Sequence, residues 1–160
     1  MKLLLYFGLA LVLVPVQSTV LDHLNVAGVR PDLCLIAVSL IGFFGGAGDG
    51  LMMGVLLGIE QDLFSAGDAW VSIITKPAIG LSGGLVGRYV ARATPATVAP
   101  MMLGFSVCSG MAFLLAGAGG PDAMTVVQSV LVPQALLDGV IGVAAYWLLA
   151  ERFRKDDSLV

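Results

Sequence analysis

The chain has 160 residues, 58% of them apolar and 21 of them glycine, with only 12% charged and a net charge of −3. A soluble domain of this size carries about 25% charged residues, and a mean hydropathy of +0.98 leaves too little polar surface to cover a water-facing globule. This balance excludes a soluble enzyme, a disordered chain and, for want of a basic patch, a nucleic-acid binder.

An all-α polytopic membrane protein remains. A spanning helix needs about 20 apolar residues, so six such helices account for most of the chain and leave no room for a soluble domain. The apolar runs are continuous, whereas the strands of an outer-membrane barrel alternate apolar and polar residues. Cys34 and Cys108 lie in apolar segments without C-x-x-C spacing and read as buried structural thiols.

In chain order, a charge-free run from Leu3 to Leu21 lacks a small-residue cleavage site and reads as a retained first helix (about 3–21). Asp22 to Arg30 forms a polar link containing His23 and Asn25. A short second span (31–45) opens at Arg30-Pro31-Asp32, with Pro31 at the first helical position and Asp32 at the positive end of the helix dipole. A glycine-rich link, Gly45 to Gly50, leads to a third span (49–64). After a tight turn at Ser65 to Asp68 comes a fourth span (70–89), closed by Arg88 and Arg92. Thr94-Pro95 marks a break before the fifth span (96–116), which ends in a Gly-rich turn, Gly117 to Pro121. The last stretch (124–150) is too long for one straight span, and Pro133 is expected to start or kink its final helix.

With six spans and a cytoplasmic N-terminus, Lys2, Arg88, Arg92, Arg152, Arg154 and Lys155 fall inside and Arg30 alone outside, a positive-inside bias. Trp70, Tyr146 and Trp147 near span ends read as interfacial anchors. His23 has no second histidine with which to build a metal site.

The most informative pattern is a glycine ladder. Gly50, Gly54 and Gly58 recur every four residues and lead to Asp62. In the fourth span Lys76, Gly80, Gly84 and Arg88 have the same spacing. Residues four apart share a helix face, and small residues there let two backbones approach closely in lipid. Folding the chain near Ala69 sets Gly58 level with Gly80, Gly54 with Gly84 and Asp62 with Lys76. A charge in the bilayer core costs roughly 2.5–3.5 kcal/mol, so Lys76 requires a partner, with Asp62 the first candidate and Glu60 the second. Two readings of the pair stand open: a structural ion pair, which is favoured, and an ion or proton relay. Asp138 in the last helix is the better relay candidate by depth, and its alternative role is a polar contact to a neighbouring helix or subunit. No Ser-His-Asp arrangement and no phosphate-binding G-x-x-x-x-G-K-[ST] motif occurs.

The stretch Arg30-Pro31-Asp32-Leu33-Cys34-Leu35-Ile36, followed by Gly54-Val55-Leu56-Leu57-Gly58-Ile59-Glu60-Gln61-Asp62-Leu63-Phe64-Ser65-Ala66-Gly67, resembles the MreD family of bacterial rod shape-determining membrane proteins. The likeness continues in Lys76-Pro77-Ala78-Ile79-Gly80 through Gly87 and returns in Val132-Pro133-Gln134-Ala135-Leu136-Leu137. The glycine-rich link with its Asp49, and the short second span, depart from the family pattern.

The resemblance implies a non-enzymatic inner-membrane scaffold of the cell-elongation machinery, without a cofactor. Such a scaffold binds the bitopic protein MreC and, through it, MreB, RodA and the elongation penicillin-binding transpeptidase. It implies a fold similar to the substrate-binding subunits of energy-coupling-factor transporters. That kinship supplies the alternative function, a vitamin-type small-molecule binding subunit. A small proton-coupled transporter is a third reading, resting on the intramembrane charges alone. The outer half offers few polar groups for a ligand (His23, Asn25, Asp32, Ser65, Asp68 and Gln128), which weighs against a dedicated pocket.

Overall fold

The computed structural model describes residues 2–23, 29–64, 70–89, 94–118 and 123–156, and these are almost wholly helical. They form six helical stretches. Four are single helices: α1 (Lys2–His23), α2 (Leu33–Gly45), α3 (Ala47–Phe64) and α4 (Ser72–Tyr89). The fifth is α5 (Pro95–Phe113), continued by a π-helical segment, Leu114–Ala118. The sixth comprises α6 (Ala123–Val126), a π segment (Val127–Leu131) and α7 (Val132–Asp156). The expected turn at Ser65 to Asp68, the pivot at Ala69, Asn25, Arg92 and Gly119 to Pro121 lie outside the described residues.

Local chemistry sets the helix ends. Asp32 caps α2, its Oδ1 accepting from the Leu35 N–H at 2.9 Å, as an N-cap carboxylate does. Pro31 therefore precedes the helix and does not open it. Gly46 alone separates α2 from α3, with a φ of +96° that glycine tolerates and L side chains rarely adopt. The glycine-rich link is thus a one-residue break, and Asp49 already lies in the first turn of α3. At the start of α5, Pro95 follows Thr94, whose N–H donates to Thr97 Oγ1 at 3.1 Å. Pro133 lacks an N–H, and the turn just before it widens to π geometry, the Val132 N–H reaching the Val127 carbonyl.

The shortest of the six stretches, α2, is the central one. One apolar cluster joins it to α1, α3 and α4 through Val14, Cys34, Val38, Met53, Leu57 and Ile79. A second joins it to α5 and α7 through Ile36, Leu40, Phe43, Val98, Met102 and Tyr146. Tyr146 is only 6% exposed and stacks on Phe44 with ring centroids 5.8 Å apart. It is a core residue, not an anchor, while the next residue, Trp147, is 58% exposed. A single step along a helix turns the side chain by about 100°, enough to separate the two roles. Cys34 is buried but Cys108 is exposed, on the α5 face that also exposes Val107 and Met111.

The segments Pro95–Ala116 and Val127–Ala150 are long and apolar enough to cross a membrane. The expectation of six such spans is not met by length and composition. With 13 residues, α2 is about 20 Å long, short of a hydrocarbon core of about 30 Å. The 18-residue helices α3 and α4 carry several ionisable side chains.

The glycine ladder does join α3 to α4, the most extensive helix pair in the structure. Its register differs from the expected one. Gly50 lies against Gly80, Gly54 against Lys76 and Pro77, and Gly58 against Ser72 and Ile73, while Gly84 meets Ala47. Gly58 was expected level with Gly80, so α4 is displaced by about two helical turns. The cause is Asp62. Its carboxylate accepts from the Ser72 N–H at 3.2 Å and the Ile73 N–H at 2.9 Å, which holds the start of α4 beside the last turn of α3. A Cβ at Gly58 would stand 2.6 Å from the Ser72 carbonyl oxygen, and one at Gly80 would overlap the backbone of Gly50.

Gly80→Ala is therefore expected to destabilise the fold by about 1–3 kcal/mol or more. Gly104→Ala, where a Cβ meets open space, should stay within about 1 kcal/mol of wild type. Thermal melts of both variants in detergent check the difference.

Candidate functional site

The first residues of α2 are buried, which raises a definite problem. The first four N–H groups of a helix have no partner within it, and buried backbone donors must be satisfied. Here two other helices reach in, and the cap residue itself supplies the third acceptor. The Asp32 N–H donates to Asp138 Oδ1 of α7 at 2.8 Å. The Cys34 N–H donates to Gln17 Oε1 of α1 at 3.0 Å. The Leu35 N–H is taken by Asp32 itself. Carboxylates are favoured at this end by the helix dipole as well as by the hydrogen bonds.

The positive charge comes from α4. Lys76 Nζ donates to Asp32 Oδ2 in an ion pair, with the lysine side chain 0% exposed. Lys76 is the largest fully buried side chain among the described residues. The expected partner Asp62 is engaged at the start of α4, and Glu60 makes no hydrogen bond through its buried Oε1. On the far side, Ser106 Oγ of α5 donates to Asp138 Oδ2 at 2.6 Å. Gln17 Nε2 closes the circuit with a longer contact of 3.4 Å to Asp32 Oδ1. Five helices are thus tied to one point, with Asp32 bonded to α1 and α4 and, through Asp138, to α7 and α5.

Of the residues singled out in the sequence, the structure brings together Pro31, Asp32, Lys76 and Asp138, with Gly54 against the Lys76 backbone. Gly50 and Gly80 meet one another, and Gly84 meets the start of α3. Gly58 and Asp62 lie at the start of α4. Sequence reasoning missed Gln17 and Ser106. Gln17 carried a signal: it is the one side-chain amide in the charge-free run from Leu3 to Leu21, and an amide in such a run needs partners. His23 ends α1, and no group of three or more metal-ligating side chains occurs among the described residues.

A cavity of about 420 Å³ opens beside this network, lined by Gln17, Arg30, Asp32, Gln61 and Gln134 together with Val14, Phe64 and Phe113. The expectation that few polar groups face this region is therefore corrected. The amides come from the interior of helices, and the apolar helix sequences conceal their convergence. Gln128, by contrast, is exposed on its π segment. Comparison with known protein families, with curated proteins and with solved structures finds no match for this chain.

Removing either member of a buried ion pair strands the other and costs about 3–5 kcal/mol. Asp32→Ala and Lys76→Ala should each cause such a loss, and the double variant should lose less than the sum by at least about 1 kcal/mol. The Asp62→Ala and Lys76→Ala losses should add. Denaturation in detergent micelles measures both cycles.

Proposed function

We propose that this chain is a multi-pass subunit of the bacterial inner membrane that works as a non-catalytic scaffold of the cell-elongation machinery, binding an MreC-type partner directly. MreB, RodA and the elongation transpeptidase would join through that partner. The observation that carries this reading is convergence. The segments that resemble the MreD family, Arg30-Pro31-Asp32, the Gly54 to Asp62 stripe, Lys76-Pro77 and Pro133-Gln134, are scattered over more than 100 residues of sequence. In the fold Asp32, Gly54, Lys76 and Pro77 lie at one buried network and Gln61 and Gln134 line the adjoining cavity, while Gly58 and Asp62 hold the start of α4.

Membrane insertion is consistent with the surface. Leu51, Val55 and Ile59 of α3, Leu81 and Leu85 of α4, and Leu136 and Val140 of α7 are all exposed. In water such continuous apolar faces are a liability; in lipid they are the solvated surface. Pro15, Pro77 and Pro100 within helices also fit a lipid setting, where neighbouring helices satisfy the freed backbone groups. In this topology both termini are cytoplasmic, and the start of α2 faces the outer half of the bilayer. Its unusual depth is permitted because the non-helical backbone there is enclosed by protein.

The energetics support the scaffold reading. Asp32, Lys76, Asp138 and Ser106 all have partners within the chain, which makes the interior a rigid clasp and leaves the outer apolar faces to meet other helices. Expressed with the coiled-coil periplasmic protein of its own genome, the tagged chain should co-purify with it from membranes in mild detergent. Depletion of the chain should turn rod-shaped cells round. Recovery with an ATPase pair, and no coiled-coil partner, would instead establish the vitamin-transporter alternative.

A further inference from the structure

A groove on the surface takes no part in the clasp. The helices α1 and α7 each pack close to α2 but hardly on one another, and the gap between them is an apolar groove of about 680 Å³. Leu9 and Leu13 of α1 form one wall, Ile141 and Leu149 of α7 form the other, and α2 is the floor from Leu33 to Gly45.

The groove has the length of one leaflet. Leu33 to Gly45 spans about 18 Å, close to half of a hydrocarbon core of about 30 Å. At the Leu33 end the apolar lining stops at the level of the clasp, because Asp32 and Arg30 come next and line the polar cavity together with Gln17. At the other end Asp49, in the first turn of α3, lines the groove with Tyr6. The Tyr6 O–H donates to the Asp49 carboxylate. Gly45 leaves room for that carboxylate, since a Cβ there would stand 2.8 Å from Asp49 Oδ2.

These features choose between occupants. A spanning helix of another protein would continue across the whole core and would leave the apolar groove halfway, for the polar surroundings of the clasp. One acyl chain ends where the groove ends. Asp49 then selects the headgroup. A carboxylate repels an anionic headgroup and accepts charge-assisted hydrogen bonds from an ammonium, with lone pairs to spare beyond the one that Tyr6 engages. A quaternary ammonium has no N–H to give.

We infer that the groove holds one acyl chain of a phospholipid with a primary-amine headgroup, of the phosphatidylethanolamine type, whose ammonium lies on Asp49. The inference goes beyond the scaffold role and rests only on the chain lying in a bilayer. In the proposed topology the headgroup belongs to the inner leaflet, and the lipid fills a gap between α1 and α7 that no described helix covers.

Native mass spectrometry of the full chain released from detergent tests this with three dioleoyl lipids that share their tails: phosphatidylethanolamine, phosphatidylcholine and phosphatidylglycerol. Retention of one phosphatidylethanolamine per chain is expected, about fivefold or more above the other two, the margin that a partly exposed ion pair supplies. Asp49→Asn should bring it down to the phosphatidylcholine level. Ala145→Trp, which fills the groove and leaves Asp49 in place, should abolish it, and Leu136→Ala, on an exposed face outside the groove, should change nothing. Equal retention of the three lipids by folded wild type overturns the inference, and so does an undiminished preference in folded Asp49→Asn. If Asp49→Asn does not fold, the wild-type headgroup series and Ala145→Trp decide. A benzophenone amino acid in place of Leu13, irradiated in whole membranes, should add a lipid; crosslinks to a second copy or to another protein instead overturn the inference. Partner co-purification is read separately, so loss of lipid selectivity with the partner retained sinks this inference alone.

Discussion

The fold depends on one constraint: a helix begins inside the protein. The start of α2 brings unpaired N–H groups and a positive dipole end into the interior of the bundle. Gln17, Asp32 and Asp138 satisfy those donors, and the two carboxylates answer the dipole. They in turn require a cation, which Lys76 supplies without any exposure to solvent. Each group in the set is costly alone and compensated only by the others. The arrangement is therefore all-or-none, and it fixes α1, α2, α4, α5 and α7 relative to one another.

The short length of α2 follows from the same constraint. Its 13 residues make a helix of about 20 Å, which starts at the level of Asp138 and Ser106. Ser106 lies midway along the Pro95–Ala118 stretch, which places the clasp deep in the bundle. At the opposite end Gly46 turns the chain in one residue. The close approach at Gly42, Gly50, Gly80 and Gly84 then packs α2, α3 and α4 backbone to backbone. Glycine holds one end of this unit together and charge holds the other.

Much of this was legible in the sequence. Continuous apolar runs, the Thr94-Pro95 break and the glycine-rich link Gly45 to Gly50 mark six helical stretches, and glycines every four residues mark α3 and α4 as partners. The register was not legible, because the chain between Phe64 and Ser72 carries no periodicity and the controlling bonds run from the Asp62 side chain to backbone N–H groups. The partner of Lys76 was not legible either. Sequence proximity favoured Asp62, whereas Asp32 lies 44 positions away and read as an ordinary helix-start residue. It is that, and its second carboxylate oxygen also serves the lysine. Residues with two simultaneous roles defeat a reading that assigns one role each. Ser106 and Gln17 are small or neutral, so neither disturbs the apolar pattern of its helix.

The account is tested most directly by a distance. With Lys76 labelled at Nζ and aspartates labelled at Cγ, magic-angle-spinning dipolar recoupling on the chain in lipid bilayers reads which carboxylate the ammonium touches. Ion pairing to Asp32 predicts strong dephasing, for a separation of about 4 Å or less, that disappears in Asp32→Asn and survives in Asp62→Asn. Dephasing that depends on Asp62, or a Lys76 ammonium with no aspartate within reach, would contradict the clasp from which the rest of the structure is derived.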